Sequence, residues 1–352
     1  MWASTLFDEV LDWHQVGTSR EGPTVQTDRF TLFRPLPLGP LEGAAFYAAY
    51  PARVVRQLRA FDPDVVIVQG AHDTALALLA RRIARVSAPV VFDVHGDWRN
   101  DTRVYGSPLR RLASPLTDRL ARHAVRGADG VRTVSAFTSG LVRELGVEPT
   151  ATFPAYMDLA EFTAPPVELP MRPTALFIGV LERYKGLDVL ARAWPAVARE
   201  LPDAALHLVG KGSLAPLAGD LVEGGEGRVR WSPELSTAQV AAALDEATVL
   251  VLPSRREGMG RVIVEAFCRG RAVVGTAAGG ILDLVVQGES GLLVPVGDAP
   301  ALAAALIRVL GEPELARSLG AGAHEASAGW LATPEDFARR VRELVDLVLA
   351  AR

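Results

Sequence analysis

Val249-Leu250-Val251-Leu252-Pro253-Ser254-Arg255-Arg256-Glu257-Gly258-Met259-Gly260-Arg261-Val262-Ile263-Val264-Glu265-Ala266-Phe267 is the stretch whose reading decides the fold. Its unbroken branched apolar tetrad fits a strand buried on both faces of a parallel sheet, and the run after Gly260 fits a helix. Strand, turn and helix make half of a βαβ unit. The turn carries Gly258 and Gly260, so main-chain amides at a helix N-terminus can approach an anion without a β-carbon in the way. Glu257 stands in the turn and Glu265 about one turn into the helix. Taken singly, Glu257 is a surface charge and Glu265 a complement to the helix dipole. Taken together with the glycines they suit a molecule that offers both hydroxyls and phosphate, because carboxylates grip vicinal diols while amides hold the phosphate. A nucleotide-sugar is such a molecule.

At 352 residues the chain is long enough for two domains with their own cores, and with 49% apolar and 22% charged residues it is globular. A formal net charge of -4 gives no support for nucleic acid as a partner. Cys268 is the only cysteine, which excludes an intrachain disulfide and a thiolate metal cluster and points to a reducing compartment. No apolar run approaches the roughly 20 residues that span a bilayer, and the N-terminus lacks a basic-then-apolar leader. A cytoplasmic location is the expectation.

In the first half, Val10-Leu11-Asp12-Trp13 and Phe30-Thr31-Leu32-Phe33 read as short strands. A helix is predicted over 46–61, where Arg53, Arg56 and Arg59 follow Phe46, Tyr47 and Tyr50 along one face. Arg110, Arg111, Arg119, Arg122 and Arg126 make a second basic pattern within 105–126. Such faces are usually just solvated; the sharper expectation is peripheral contact with anionic lipid headgroups or a lipid-phosphate acceptor. Strands are predicted at 65–68 and 90–94, joined by a helix over 74–85. His95 follows the second, where open α/β sheets place ligands, and His72 is a weaker candidate after Gly70. A third strand over 131–134 ends at Ser135-Ala136-Phe137-Thr138, an ordinary N-cap.

Pro154, Pro165, Pro166, Pro170 and Pro173 mark a connection that continues neither a helix nor a central strand, and the domain boundary is placed there. Domains are expected at 1–165 and 166–332, with a terminal helical segment at 333–352. A strand over 175–178 ends at Gly179, and Arg183 and Lys185 behind it could neutralise a diphosphate, although exposed cations at a helix start are more often solvated. Gly210 closes another strand, Ser232 follows Val229-Arg230-Trp231, and Gly279-Gly280 suits either phosphate approach or tight packing. Thr333-Pro334-Glu335-Asp336 opens a final helix with an N-cap, a proline at its first position and an acid three residues on.

The central stretch resembles the Glu-x7-Glu signature of retaining glycosyltransferases of family 4, and the resemblance extends from about Val65 to the C-terminus. It implies the GT-B fold, two Rossmann-like α/β domains facing a central cleft, with a C-terminal helix that can cross back to the first. The family's opening strand, glycine-rich loop and long helix have no clear counterpart, so either the first domain is shortened or the true start lies upstream. The resemblance assigns Glu257 and His95 to the donor sugar, Glu265 to the ribose, and Gly258, Met259 and Gly260 to the diphosphate. Lys185 matches the family's lysine in place, and Arg183, three residues on, is expected to do the work of an arginine that relatives have where Val180 stands. Gly179, Gly210 and Ser232 fall on nucleotide-binding segments. The implied activity is transfer of a sugar from a nucleotide-sugar donor to a glycan, lipid-linked or small-molecule hydroxyl, with no metal and no cofactor. The alternatives are a nucleotide-sugar epimerase of the same fold and a catalytically impaired nucleotide-sugar-binding protein. A dehydrogenase would need a Gly-x-Gly-x-x-Gly turn after its first strand, which is absent.

Overall fold

The computed structural model describes residues 15–18, 25–26, 30–33, 42–100 and 114–351. The chain divides into two compact units, one formed by the described residues to Tyr156 together with the segment from Thr333, the other by Met157–Ala332.

In the first unit, β1 (Gln15–Thr18), β2 (Val25–Gln26) and β3 (Phe30–Phe33) form a small sheet in the order β1-β3-β2. The strand expected at Phe30–Phe33 is therefore present, while Val10-Leu11-Asp12-Trp13 lies outside the described residues. A separate parallel sheet holds β4 (Val66–Gln69), β5 (Val90–Val94), β6 (Gly130–Thr133) and β7 (Ala151–Thr152) in that order. β5 is buried along its whole length and alternates between two cores. Phe92 and Val94 pack with Trp98, Val125 and Val131 on one side, and Val91 packs with Phe153, Val341, Leu344 and Val348 on the other. The last three belong to the terminal helix Pro334–Ala350, which is thus part of this unit. Its N-cap is a full capping box of Thr333 and Asp336.

Arg56, Arg59, Arg119, Arg122 and Arg126 of the two basic stripes are exposed, and two of them also make hydrogen bonds at helix ends. Helix Glu42–Phe61 carries Arg59, whose guanidinium donates to the carbonyls of Ile83 (3.1 Å) and Ala84 (3.4 Å) at the end of helix Ala71–Ala84. Helix-end carbonyls carry partial negative charge and lack partners, so they capture the cation. Arg126 of helix Ser114–Gly127 likewise donates to the Leu145 carbonyl, whereas Arg110 and Arg111 lie outside the described residues.

The second unit is a six-stranded parallel sheet made of β8 (Thr174–Ile178), β9 (Ala205–Val209), β10 (Val229–Ser232), β11 (Val249–Leu252), β12 (Ala272–Thr276) and β13 (Gly291–Val294). The order is β10-β9-β8-β11-β12-β13. Alternation along the strands feeds both faces. Phe177, Val249, Val251 and Val274 pack against helices Leu187–Glu200 and Ala299–Gly311, while Leu176, Leu250, Leu252 and Val273 pack against Thr237–Asp245 and Arg261–Cys268. Among the described residues no helix is long and apolar enough to cross a membrane.

One buried cation ties this unit together. Arg271 is 2% exposed, and its guanidinium donates to the carbonyls of Leu244 (2.9 Å), Asp245 (3.0 Å), Val167 (3.0 Å) and Glu168 (3.3 Å). Two of these are the last carbonyls of helix Thr237–Asp245, so the helix dipole replaces a facing carboxylate. Burial lowers the pKa of Arg271, and the charge of Asp245 offsets part of that. Arg271→Met would leave the carbonyls unsatisfied, and a loss on the order of 3 kcal/mol is expected in urea unfolding; a change under about 0.5 kcal/mol would show that water replaces the guanidinium.

Candidate active site

In a parallel sheet every strand delivers its following loop to the same edge, and ligand sites gather where the strand order reverses. Here the reversal lies between β8 and β11, since the chain runs outward through β9 and β10 on one side and through β12 and β13 on the other. The loops after β8 and β11 carry Lys185 and Glu257, and Lys185 Nζ sits 2.6 Å from Glu257 Oε2. The two side chains are 14% and 13% exposed, so each half-buried charge compensates the other. Lys185 is one of only two lysines in the chain.

Close backbone packing seats both partners. Gly186, with φ +75°, lies so near Pro253 that a β-carbon would fall 1.9 Å from its carbonyl oxygen. A β-carbon on Gly279 would fall 2.1 Å from the carbonyl oxygen of Glu257, and one on Gly280 2.3 Å from that of Gly258. Of the two readings of Gly279-Gly280, packing is the one these distances carry. The Gly280 amide also donates to the Glu257 carbonyl at 2.8 Å.

Arg255 is the residue the sequence reading passed over. It grips Asp188 with two hydrogen bonds of 2.7 Å, donates a third to the Arg183 carbonyl (2.6 Å), and its amide donates to the Tyr184 carbonyl (2.7 Å). The turn that carries Lys185 is thereby tied to the turn that carries Glu257. The hydrogen bond from Arg255 is the largest influence holding Asp188 below the usual carboxylate range. No local pattern announces this pair, whose members are 67 residues apart.

The other predicted residues of this unit lie at the ends of its strands, in the loops that follow or in the next helix. Arg183 is exposed, and Gly179 lies beneath the aliphatic chain of Lys185, a β-carbon there being 3.6 Å from Cδ. Gly260, at φ +75°, begins helix Arg261–Cys268, with Met259 half-buried before it. Glu265 is 8% exposed and accepts from Arg261 Nε at 2.8 Å. Its carboxyl is pushed up by burial, an effect that Arg261 opposes. Gly210 donates its amide to the Ser232 carbonyl (3.0 Å), and its carbonyl accepts from Trp231 Nε1 (2.9 Å). The hydroxyl of Ser232 meets His207 Nε2 at 3.0 Å, a contact the sequence did not suggest.

His95 belongs to the first unit, just past β5, with its side chain 37% exposed and its Nε2 2.9 Å from Asp93 Oδ2. His72 lies in the first turn of helix Ala71–Ala84. Ser135 caps helix Ala136–Arg143 in a capping box with Thr138, which agrees with the cap reading. Among the described residues no group of histidine, cysteine, aspartate and glutamate side chains could hold a metal ion.

Residues 172–312 match the family described as glycosyl transferases group 1, and residues 14–155 match the glycosyl transferase 4-like domain. A phosphatidyl-myo-inositol mannosyltransferase of Mycolicibacterium smegmatis is 29% identical over 307 residues, covering 83% of this chain and 74% of that protein. A D-inositol 3-phosphate glycosyltransferase of Thermomonospora curvata is 35% identical over 173 residues, covering 45% of this chain and 40% of that one. Among solved structures, sucrose-phosphate synthase from Thermosynechococcus elongatus superposes with a TM-score of 0.76 at 22% identity, covering 100% of this chain and 93% of its own. Anabaena HepE, solved with UDP-glucose, gives 0.69 at 20% identity over 92% and 86%. The chain therefore has the two Rossmann-like domains of the GT-B fold.

His207 makes this unit sensitive to acid. Its pKa is lowered from 6.5 to about 4, chiefly by burial and then by the charge of Arg230, with Glu246 opposing. The folded protein keeps the ring neutral where the unfolded chain takes up a proton, so stability is full above about pH 6.5 and falls as pH drops towards 4. About 2 kcal/mol should be lost between pH 7 and pH 5 in urea unfolding, and His207→Gln should remove that part of the slope. An equal slope in both proteins would mean the folded state protonates His207 freely.

Proposed function

The chain belongs to the group 1, family 4-like glycosyltransferases, and from that premise we propose that it transfers a sugar from a nucleotide-sugar with retention of anomeric configuration and without a metal. The observation that carries this reading is the Lys185–Glu257 contact of 2.6 Å at the reversal of strand order. A donor bound there separates the pair: the ammonium takes the diphosphate and the carboxylate takes hydroxyls of the sugar. Arg183 and the main-chain amides of Gly258, Met259 and Gly260 add positive potential at the phosphates, which are the leaving group. Glu265 takes the ribose diol, and Gly179, Gly210 and Ser232 border the nucleoside. His95 is assigned to the hydroxyls of the transferred sugar.

The reaction follows from which charges are present. As the bond from the anomeric carbon to the phosphate oxygen breaks, negative charge grows on the diphosphate, and Lys185 and Arg183 stabilise it. The acceptor hydroxyl bonds to the anomeric carbon on the face the phosphate leaves, through an oxocarbenium-like state, and its proton passes to a phosphate oxygen. The acceptor is a glycan, lipid-linked or small-molecule hydroxyl, and relatives that act on inositol phosphate and phosphatidylinositol make those compounds the first to try. A lipid-linked acceptor would bring the enzyme to the inner face of a membrane as a peripheral protein.

Thermal shift with UDP-, GDP- and ADP-sugars is the first test, since a donor at 100 times its dissociation constant adds about 2.7 kcal/mol. With the donor so found, Glu257→Gln should lower turnover on the order of 100-fold in a protein that stays folded by circular dichroism at the assay temperature, the anomeric proton of the product should keep the donor's configuration, and EDTA should leave the rate within about twofold. Near-native turnover of the variant or an inverted product overturns the reading. Arg255→Ala releases the turn beneath Lys185, and about tenfold weaker UDP or GDP binding by calorimetry is expected; an unchanged affinity would show that the turn holds without it.

A further inference from the structure

His95 is held by a row of polar side chains that crosses three strands. Gln69, Asp93 and Arg132 are register partners on β4, β5 and β6, so their side chains leave the same face of the sheet side by side. His95, two residues past Asp93, projects to that face too. Arg132 is 3% exposed and Asp93 7%. Arg132 Nη1 lies 2.7 Å from Asp93 Oδ1 and 3.0 Å from Oδ2, and its Nη2 donates to the carbonyls of Phe153 (3.0 Å) and Pro154 (2.8 Å). The guanidinium carbon is 4.2 Å from the centroid of the Phe153 ring and 5.5 Å from that of Phe337. These contacts leave Arg132 little freedom, and through it they fix the carboxylate.

The consequence reaches the imidazole. A carboxylate that faces a guanidinium with both oxygens can only accept, so the 2.9 Å contact between Asp93 Oδ2 and His95 Nε2 requires the proton on Nε2. Arg132 Nη1, 3.5 Å from the same nitrogen, has no lone pair to offer and does not compete. Gln69 places its amide nitrogen 2.8 Å from the same ring nitrogen; with Nε2 of the ring protonated by its contact to Asp93, the amide is turned over so that its oxygen accepts there, the two orientations being interchangeable by rotation. In the neutral ring Nδ1 then carries the lone pair, and no hydrogen bond among the described residues occupies it.

We infer that Asp93, clamped by Arg132, is the positioning residue of His95: it sets the ring's orientation and keeps its proton on Nε2, so that Nδ1 accepts a hydroxyl of the transferred sugar. This rests on the role assigned to His95 above. The opposite tautomer would present an N–H at Nδ1, and the hydroxyl there would have to accept instead of donate.

Asp93→Asn tests it. The asparagine keeps the shape, gives its oxygen to Arg132 and turns its NH2 towards Nε2, which forces the proton to Nδ1. In long-range proton–nitrogen NMR spectra, with His95 assigned by comparison with His95→Gln, the neutral wild-type ring should show a protonated Nε2 and a bare Nδ1, and Asp93→Asn should show the reverse. In parallel, nucleoside diphosphate release from UDP-glucose or GDP-mannose should fall about tenfold in kcat for Asp93→Asn, with KM within about twofold, and the double variant should be no slower than His95→Gln alone. A wild-type proton on Nδ1, an unchanged tautomer in Asp93→Asn, or full turnover in Asp93→Asn where His95→Gln is slow overturns the inference. Full turnover in His95→Gln would instead remove the sugar-binding role of His95, and the tautomer spectra, which need no substrate, would still decide whether Asp93 sets the ring.

Discussion

Burial of a parallel sheet on both faces is the constraint from which the second unit follows. Leu250 and Leu252 point to one core and Val249 and Val251 to the other, so β11 has no face on which to carry a polar side chain. Chemistry is displaced to the strand ends, and the parallel arrangement puts all of those ends on one edge. Strand order then selects the place on that edge, because the loops after β8 and β11 are neighbours only through the reversal between them.

Charges that enter the interior do so with partners chosen by geometry. Arg271 meets only carbonyls, two of them at a helix C-terminus where partial charge stands in for a carboxylate. Arg132 meets a carboxylate and two carbonyls, and Lys185 meets one carboxylate. The contrast tracks task. A planar guanidinium with five fixed donors anchors backbone or a neighbouring side chain, whereas a compact ammonium on a flexible stem can exchange one anion for another. That exchange is what the proposed donor site would ask of Lys185, in a chain that otherwise uses arginine almost throughout.

Much of the candidate site is visible in the chain because its parts are contiguous. The tetrad, the glycine turn and both glutamates lie within nineteen residues, and strand and helix form there as the periodicity predicts. Lys185 stands behind a strand, and the family resemblance singles it out before Gly186. Arg255, Asp188, Asp93 and Arg132 were not legible, since each acts on a partner brought near only by sheet register or by the meeting of two loops. The basic stripe on helix Glu42–Phe61 is a case of the same kind: helical spacing shows that its arginines share a face, but not that another helix ends beneath Arg59.

By itself, then, the sequence determined the class of fold, the strands at its centre and the residue types of the turn, because apolar periodicity and glycine act over a few residues. Only the tertiary structure decided that Lys185 faces Glu257, that Gly279 and Gly280 press on the glutamate's backbone, and that Gln69, Asp93 and Arg132 line up beneath His95. The physical reason is that hydrogen bonds and ion pairs depend on distances of about 3 Å between atoms, and strand register and order set those distances between residues far apart in the chain.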